Sequence, residues 1–187
     1  MTQAKSSNYP NYFIRHEEAK NTQLFNEDAS WKINTISELQ YPMVGSKINF
    51  QSTNYPEYFL RHRNFEIWID KSDTSDLYLK DSSFTVIKAL NGRDGYVSFE
   101  SVNYPYRFIR HAGYVLWLHQ PDESDLFKND ASFRIVSAKN EADGFFSIES
   151  SNYPNYFIRH ENQRCMISPA KNTQLFNEDA SWKINIF

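Results

Sequence analysis

Only one of the 187 residues is a cysteine, Cys165, which excludes an intramolecular disulfide and a cysteine-built zinc site. Glycine is scarce as well, with five in the chain. No Gly-x-Gly-x-x-Gly, P-loop, Gly-x-Ser-x-Gly or His-Glu-x-x-His string occurs, so the commoner catalytic and nucleotide-binding motifs are missing. No apolar run approaches the ~20 residues needed to cross a ~30 Å hydrocarbon core. Residues 1–7 contain no apolar h-region, so no secretory signal is expected there. No Asn-x-Ser/Thr acceptor occurs either, and the two absences together favour a cytoplasmic home, with secretion the alternative if a leader has been trimmed away. Basic residues do not exceed acidic ones: 20 Lys and Arg against 23 Asp and Glu give a net charge of −3. That balance leaves no electrostatic footprint for nucleic acid or an anionic membrane. A sustained helical period is also lacking.

What the chain has in abundance is aromatic and repeated. At 40% hydrophobic and 17% aromatic it is neither disordered nor collagen-like. Asn-Tyr-Pro begins at Asn8, Asn54, Asn103 and Asn152, each time followed by an aromatic stretch ending in Arg-His. The histidines of those pairs, His16, His62, His111 and His160, stand 46, 49 and 49 residues apart. A Leu-aromatic step and an Asp-Ala/Ser-Ser-aromatic step follow in every copy. Independent residue types recurring in one order mark an internal repeat. The aspartate lies 19 residues after the histidine in the last three copies and 12 after it in the first. Residues 6–16 repeat 150–160, and 19–34 repeat 170–185, letter for letter.

The third copy shows the strand pattern best. Residues 96–101 alternate after an Asp-Gly turn signal, 108–111 and 114–118 form a hairpin split at Ala112-Gly113, and 132–136 alternate again. Residues 120–124 read as a polar turn, and Asn-Tyr-Pro reads as a turn rather than a binding element. Three complete four-stranded repeats of about 49 residues predict an all-β, pseudo-threefold β-trefoil, a six-stranded barrel capped by three hairpins. A propeller is the runner-up, although it usually needs at least four blades. The trefoil is placed at 46–187. Residues 1–45 then form a partial duplicate of the last repeat, an extension or a segment swapped between two chains of a homodimer.

Each complete copy offers an imidazole, a carboxylate and intervening aromatics. Carboxylate and imidazole suit vicinal hydroxyls, and an aromatic face suits the C–H surface of a sugar. The same residues also fit a structural role: the Asp step as a turn capping its own backbone, and Arg-His as a polar pair at a hairpin end. An enzyme is not expected. Cys165 lies in an apolar run, no two carboxylates are paired by spacing, and equivalent histidines on separate lobes cannot converge on a metal. No cofactor is expected.

Asn-Tyr-Pro-x-Tyr-Phe-Ile-Arg-His, with Leu-Phe-x-x-Asp-Ala-Ser-Phe following, resembles the arabinose-binding domain of arabinofuranosidase B-type enzymes. The resemblance covers the three complete copies and, truncated, the first; the Gln-x-Trp string of ricin-type trefoils is absent. It implies a β-trefoil with a shallow pocket per lobe for terminal arabinofuranose of a branched polysaccharide or glycan. Carried over by position, the sugar-binding residues are His62 with Asp81, His111 with Asp130, and His160 with Asp179. Phe65 and Tyr114 supply an aromatic that becomes Gln163 in the last copy. At another matched position Tyr58 and Tyr156 correspond to Arg107, so the pockets need not share a ligand. Trp68, Trp117 and Trp182 are expected to pack in the core or cap. The alternative is a trefoil that serves protein interaction or structure and binds no sugar.

Overall fold

A computed structural model describes residues 42–187. The prefix 1–45, and with it the proposed swap, lies outside the described residues except for its last four positions.

Among the described residues twelve strands fall into three groups of four. The first group is β1 (Lys47–Ser52), β2 (Tyr58–Arg63), β3 (Glu66–Lys71) and β4 (Phe84–Lys88). The second is β5 (Val97–Ser101), β6 (Phe108–Ala112), β7 (Val115–His119) and β8 (Phe133–Ser137). The third is β9 (Phe146–Ser150), β10 (Tyr156–Glu161), β11 (Arg164–Pro169) and β12 (Trp182–Ile186). Strands β1, β4, β5, β8, β9 and β12 pair in turn, and β12 returns to β1 through Ile48↔Ile186 to Ser52↔Trp182. This closed ring is the barrel of a β-trefoil. The three hairpins β2–β3, β6–β7 and β10–β11 meet in a triangle of their own, β3 with β7, β7 with β11 and β11 with β3. Ring closure excludes a propeller and leaves the barrel no free edge.

The period-2 alternation of the strands decides what fills the barrel. Ile48 and Phe50 of β1, Phe84 and Val86 of β4, Phe99, Phe133, Ile148 and Trp182 all point inward and are buried. Phe50 meets Phe99 edge-on at 5.1 Å, and Phe99 stacks on Phe133 at 6.0 Å. Trp182 is fully buried, and its indole N–H donates to the Ile158 carbonyl at 3.1 Å. Trp68 and Trp117 instead sit at the hairpin cap, where the Arg164 guanidinium lies 4.9 Å from each ring.

Two local expectations need correcting. The hairpin turn is not Ala112-Gly113 but Gly113-Tyr114, because Ala112 pairs with Val115. Both turn residues have positive φ (59° and 68°), the geometry of a two-residue turn that follows strand twist. The described residues also contain three helices of six residues, α1 (Asp76–Asp81), α2 (Asp125–Asp130) and α3 (Gln174–Asp179). Each starts from a side-chain cap: Ser75, Ser124 and Thr173 accept from the N–H three residues on. A helix this short offers no repeat of the 3.6-residue period to read. Removing the α2 cap with Ser124→Ala is expected to lower unfolding stability by about 1 kcal/mol in urea melts. A loss below a few tenths would mean that packing alone holds the helix.

Candidate functional site

The helices explain how the three aspartates are placed. In each, the two buried residues are three apart: Tyr78 and Asp81, Phe127 and Asp130, Phe176 and Asp179. Residues at i and i+3 share a helix face, so the aromatic anchors the turn and brings the carboxylate in with it. Asp130 therefore does not cap its own backbone. Its partners come from two other elements.

From β6, Arg110 folds back over the chain. Its Nε donates to the His111 carbonyl and its Nη2 reaches Asp130 Oδ2 at 2.7 Å. The same guanidinium lies 5.0 Å from the Phe127 ring. From the loop after β9, Asn152 Nδ2 donates to Asp130 Oδ1 at 2.8 Å. The Oδ1 of Asn152 faces His111 Nε2 at 3.0 Å and accepts from Ser150 Oγ. His111 Nε2 stands 3.5 Å from Asp130 Oδ1.

The arrangement recurs twice with substituted numbers. Asp81 takes Arg61 at 2.5 Å and Asn103 at 2.7 Å, and Asn103 faces His62 at 2.9 Å. Asp179 takes Arg159 at 2.9 Å and Asn54 at 2.8 Å, and Asn54 faces His160 at 3.0 Å. The structure thus brings together each expected His–Asp pair. All six side chains are buried.

Sequence reasoning missed the arginines and asparagines in these clusters. Arg-His recurs in every copy, which was the available signal for Arg61, Arg110 and Arg159. The asparagines open Asn-Tyr-Pro, which is a turn and also supplies a side chain to the lobe before it. No sequence spacing announces that, because Asn103 joins His62 from 41 residues away.

Polarity follows from the network. Each Asn Nδ2 donates to a carboxylate, so its Oδ1 is an acceptor and the facing His Nε2 carries the proton. The opposite nitrogen, Nδ1, of His62 and His111 has no hydrogen bond among the described residues. No buried side-chain N or O atom there lacks a partner either. Burial holds all three imidazoles below their ordinary value. The neighbouring Arg61, Arg110 and Arg159 push the same way, against the aspartates.

Aromatic walls complete the clusters, again across lobes. Tyr104 meets His62 edge-on at 5.2 Å and Phe65 at 5.3 Å. Tyr153 meets His111 at 5.3 Å and Tyr114 at 5.4 Å. Tyr55 meets His160 at 5.6 Å. Phe65, Tyr114 and Gln163 occupy the second position of their hairpin turns with φ of 63°, 67° or 68°, where bulky side chains are rare. Such strain concentrates at functional sites. A cavity of about 260 Å³ opens beside His62 and Asp81, and one of about 460 Å³ beside His160 and Asp179. Gln163 and Tyr58 line the second. Cys165 is fully buried, and burial pushes its thiol up, away from the thiolate.

A family model described as the alpha-L-arabinofuranosidase B (ABFB) domain matches residues 4–86 and 75–184. Among solved structures, an arabinofuranosidase complexed with arabinofuranosyl-alpha-1,2-xylobiose is 27% identical with a TM-score of 0.69. The match covers 76% of this chain and 31% of that one. A GH54 α-L-arabinofuranosidase soaked with a cyclic sulfate inhibitor is 26% identical with a TM-score of 0.70, covering 78% and 32%. The chain thus spans about a third of the length of these enzymes. The BEL β-trefoil matches at 16% identity with a TM-score of 0.61, covering 79% of this chain and 97% of that one, and shares the fold. No match was found among curated proteins.

Proposed function

Because the chain belongs to the alpha-L-arabinofuranosidase B (ABFB) domain family of carbohydrate-binding trefoils, we propose that it holds terminal arabinofuranose-like sugars of a branched polysaccharide or glycan. The binding is non-catalytic, with one shallow pocket in each lobe. The observation that carries this reading is the threefold Arg–Asp–Asn–His cluster beneath an aromatic wall.

The chemistry of the reading is direct. Each aspartate is fixed by one guanidinium and one amide, so its remaining lone pairs are aimed before a ligand arrives. Vicinal hydroxyls donate to that carboxylate and to the histidine Nδ1. Tyr114, Phe65 and the Asn-Tyr-Pro tyrosines cover the C–H face of the ring. Each pocket binds weakly alone, and several on one branched ligand gain through effective concentration. His62, Asp81, Phe65, His111, Asp130, Tyr114, His160 and Asp179 are the proposed contact residues. The prefix 1–45 is proposed, on sequence alone, as an extension or swapped segment.

Tyr114→Asn tests the reading without touching the buried cluster, since asparagine tolerates the positive φ there. Calorimetric titration with a monovalent arabinofuranoside, which removes avidity, is expected to show that pocket weakened roughly three- to tenfold. Failure of the unmodified chain to bind any arabinofuranoside would remove the proposal.

A further inference from the structure

We infer that the cavity beside His62 selects an acidic sugar, one carrying a carboxylate or a sulfate, through Arg107. The inference rests on the sugar-binding reading above and deepens it for one pocket.

Two rim positions distinguish the three clusters. One is the residue after the histidine, and the other comes from the next lobe, four residues after its Asn-Tyr-Pro asparagine. Around His111 both are uncharged: Ala112, and Tyr156 stacked on Tyr114 at 5.8 Å and 19°. Around His160 the pair is Glu161 and Tyr58, both lining the cavity. Around His62 both are arginines. Arg63 lines the cavity, and the Arg107 guanidinium carbon lies 4.3 Å from the centre of the Phe65 ring, itself a lining residue.

The other cations nearby are engaged. Arg61 is bound to Asp81 and lies 3.9 Å from Asp70, and Arg63 lies 3.6 Å from Asp70. Arg107 makes no ion pair or side-chain hydrogen bond among the described residues. Its guanidinium lies over Phe65, beside the cavity that this ring lines. A planar guanidinium offers two parallel N–H donors, which match a carboxylate or sulfate and serve a neutral hydroxyl poorly. The same acidic sugar in the His160 cavity would meet Glu161, a like charge. The lobes therefore differ in the charge they accept, although their floors are alike.

The test uses the full chain and three ligands of one ring: methyl glucoside, methyl glucuronide and methyl glucoside 6-sulfate. At low salt the acidic ligands are expected to bind about tenfold more tightly than the neutral one. Binding of the glucuronide alone assigns a carboxylate, and of the sulfate ester alone a sulfate; both support the inference. Arg107→Gln is expected to bring acidic and neutral ligands to one affinity, and Arg107→Lys to keep part of the difference. Because the Arg107 side chain makes no ion pair or hydrogen bond among the described residues, both variants are expected to fold. An acidic preference absent from the unmodified chain, or unchanged in Arg107→Gln, overturns the inference. So does equal binding of acetate or inorganic sulfate, which would make the site a mere anion trap. If an arabinofuranoside binds while the acidic preference is missing, only the charge assignment falls. If no sugar binds at all, both readings fall.

Discussion

Asp130→Ala is expected to cost about 3–5 kcal/mol of folding stability, read as a lower urea midpoint at unchanged slope. The carboxylate takes a charge-assisted bond from Arg110 and an amide bond from Asn152. Only 14% of the Arg110 side chain and 5% of the Asp130 side chain remain exposed. Removing the carboxylate leaves a guanidinium in a place it entered only because a negative charge was there. The Asn152 amide and, through it, His111 lose their fixed orientation as well. The arabinofuranoside affinity of that pocket is expected to vanish with the stability. A loss under about 1 kcal/mol would show that water reaches Arg110 freely and that the pair is an ordinary surface one. Asp81→Ala and Asp179→Ala are expected to behave alike, with losses that add, because each cluster has its own partners.

Stability is also expected to fall as the solution is acidified through pH 6.5, the ordinary imidazole value. Burial is the first cause of the lowered values of His62, His111 and His160. These rings stay neutral in the folded protein at a pH where the unfolded chain has begun to bind protons. The unfolded state then holds more protons, and stability declines as pH drops. Above the unfolded value the contribution is complete. Each ring faces one arginine and one aspartate, beside an asparagine, a serine hydroxyl and a tyrosine edge, and the aspartates only partly offset burial. His119 shifts in the same direction, through burial and then the charges of Arg110 and Arg107. The three cluster histidines act in the same sense, so their contributions to the slope add. Urea unfolding at about pH 7.5 and about pH 5.5 measures it. A flat profile between them would mean that the imidazoles accept protons in place.

Much of the architecture could be read from the chain because repetition supplied the symmetry. Alternation at 96–101 and 132–136 located β5 and β8, and the Arg-His runs located the hairpins. The six-residue helices escaped notice, since periodicity needs more than one turn to be seen. Their caps, Ser75, Ser124 and Thr173, were visible signals that a search for helix starts would have found. The repeat offered the His–Asp pairs and the resemblance made them sugar contacts; the structure brings the two members of each pair side by side. Their arginine and asparagine partners did not, for two different reasons. Arg110 sits beside His111 in a strand, where neighbours are expected to face opposite ways, and only its back-folded side chain reaches the aspartate. Asn152 belongs to the next repeat, and its role exists only once the barrel has closed.

That borrowing has a consequence for how such a molecule can be built or altered. Each Arg–Asp–Asn–His cluster is built at the seam between consecutive lobes, not within one lobe. The three seams form a cycle, because Asn54 and Tyr55 of the first lobe finish the cluster of the last. A lone repeat owns no complete site, and one swapped for a copy of its neighbour changes two sites at once. Opening the ring between β1 and β12 separates the contributors of the third site even if every residue stays present. The chain can vary its three seams independently at the rim, yet it cannot keep any of them without closing the circle.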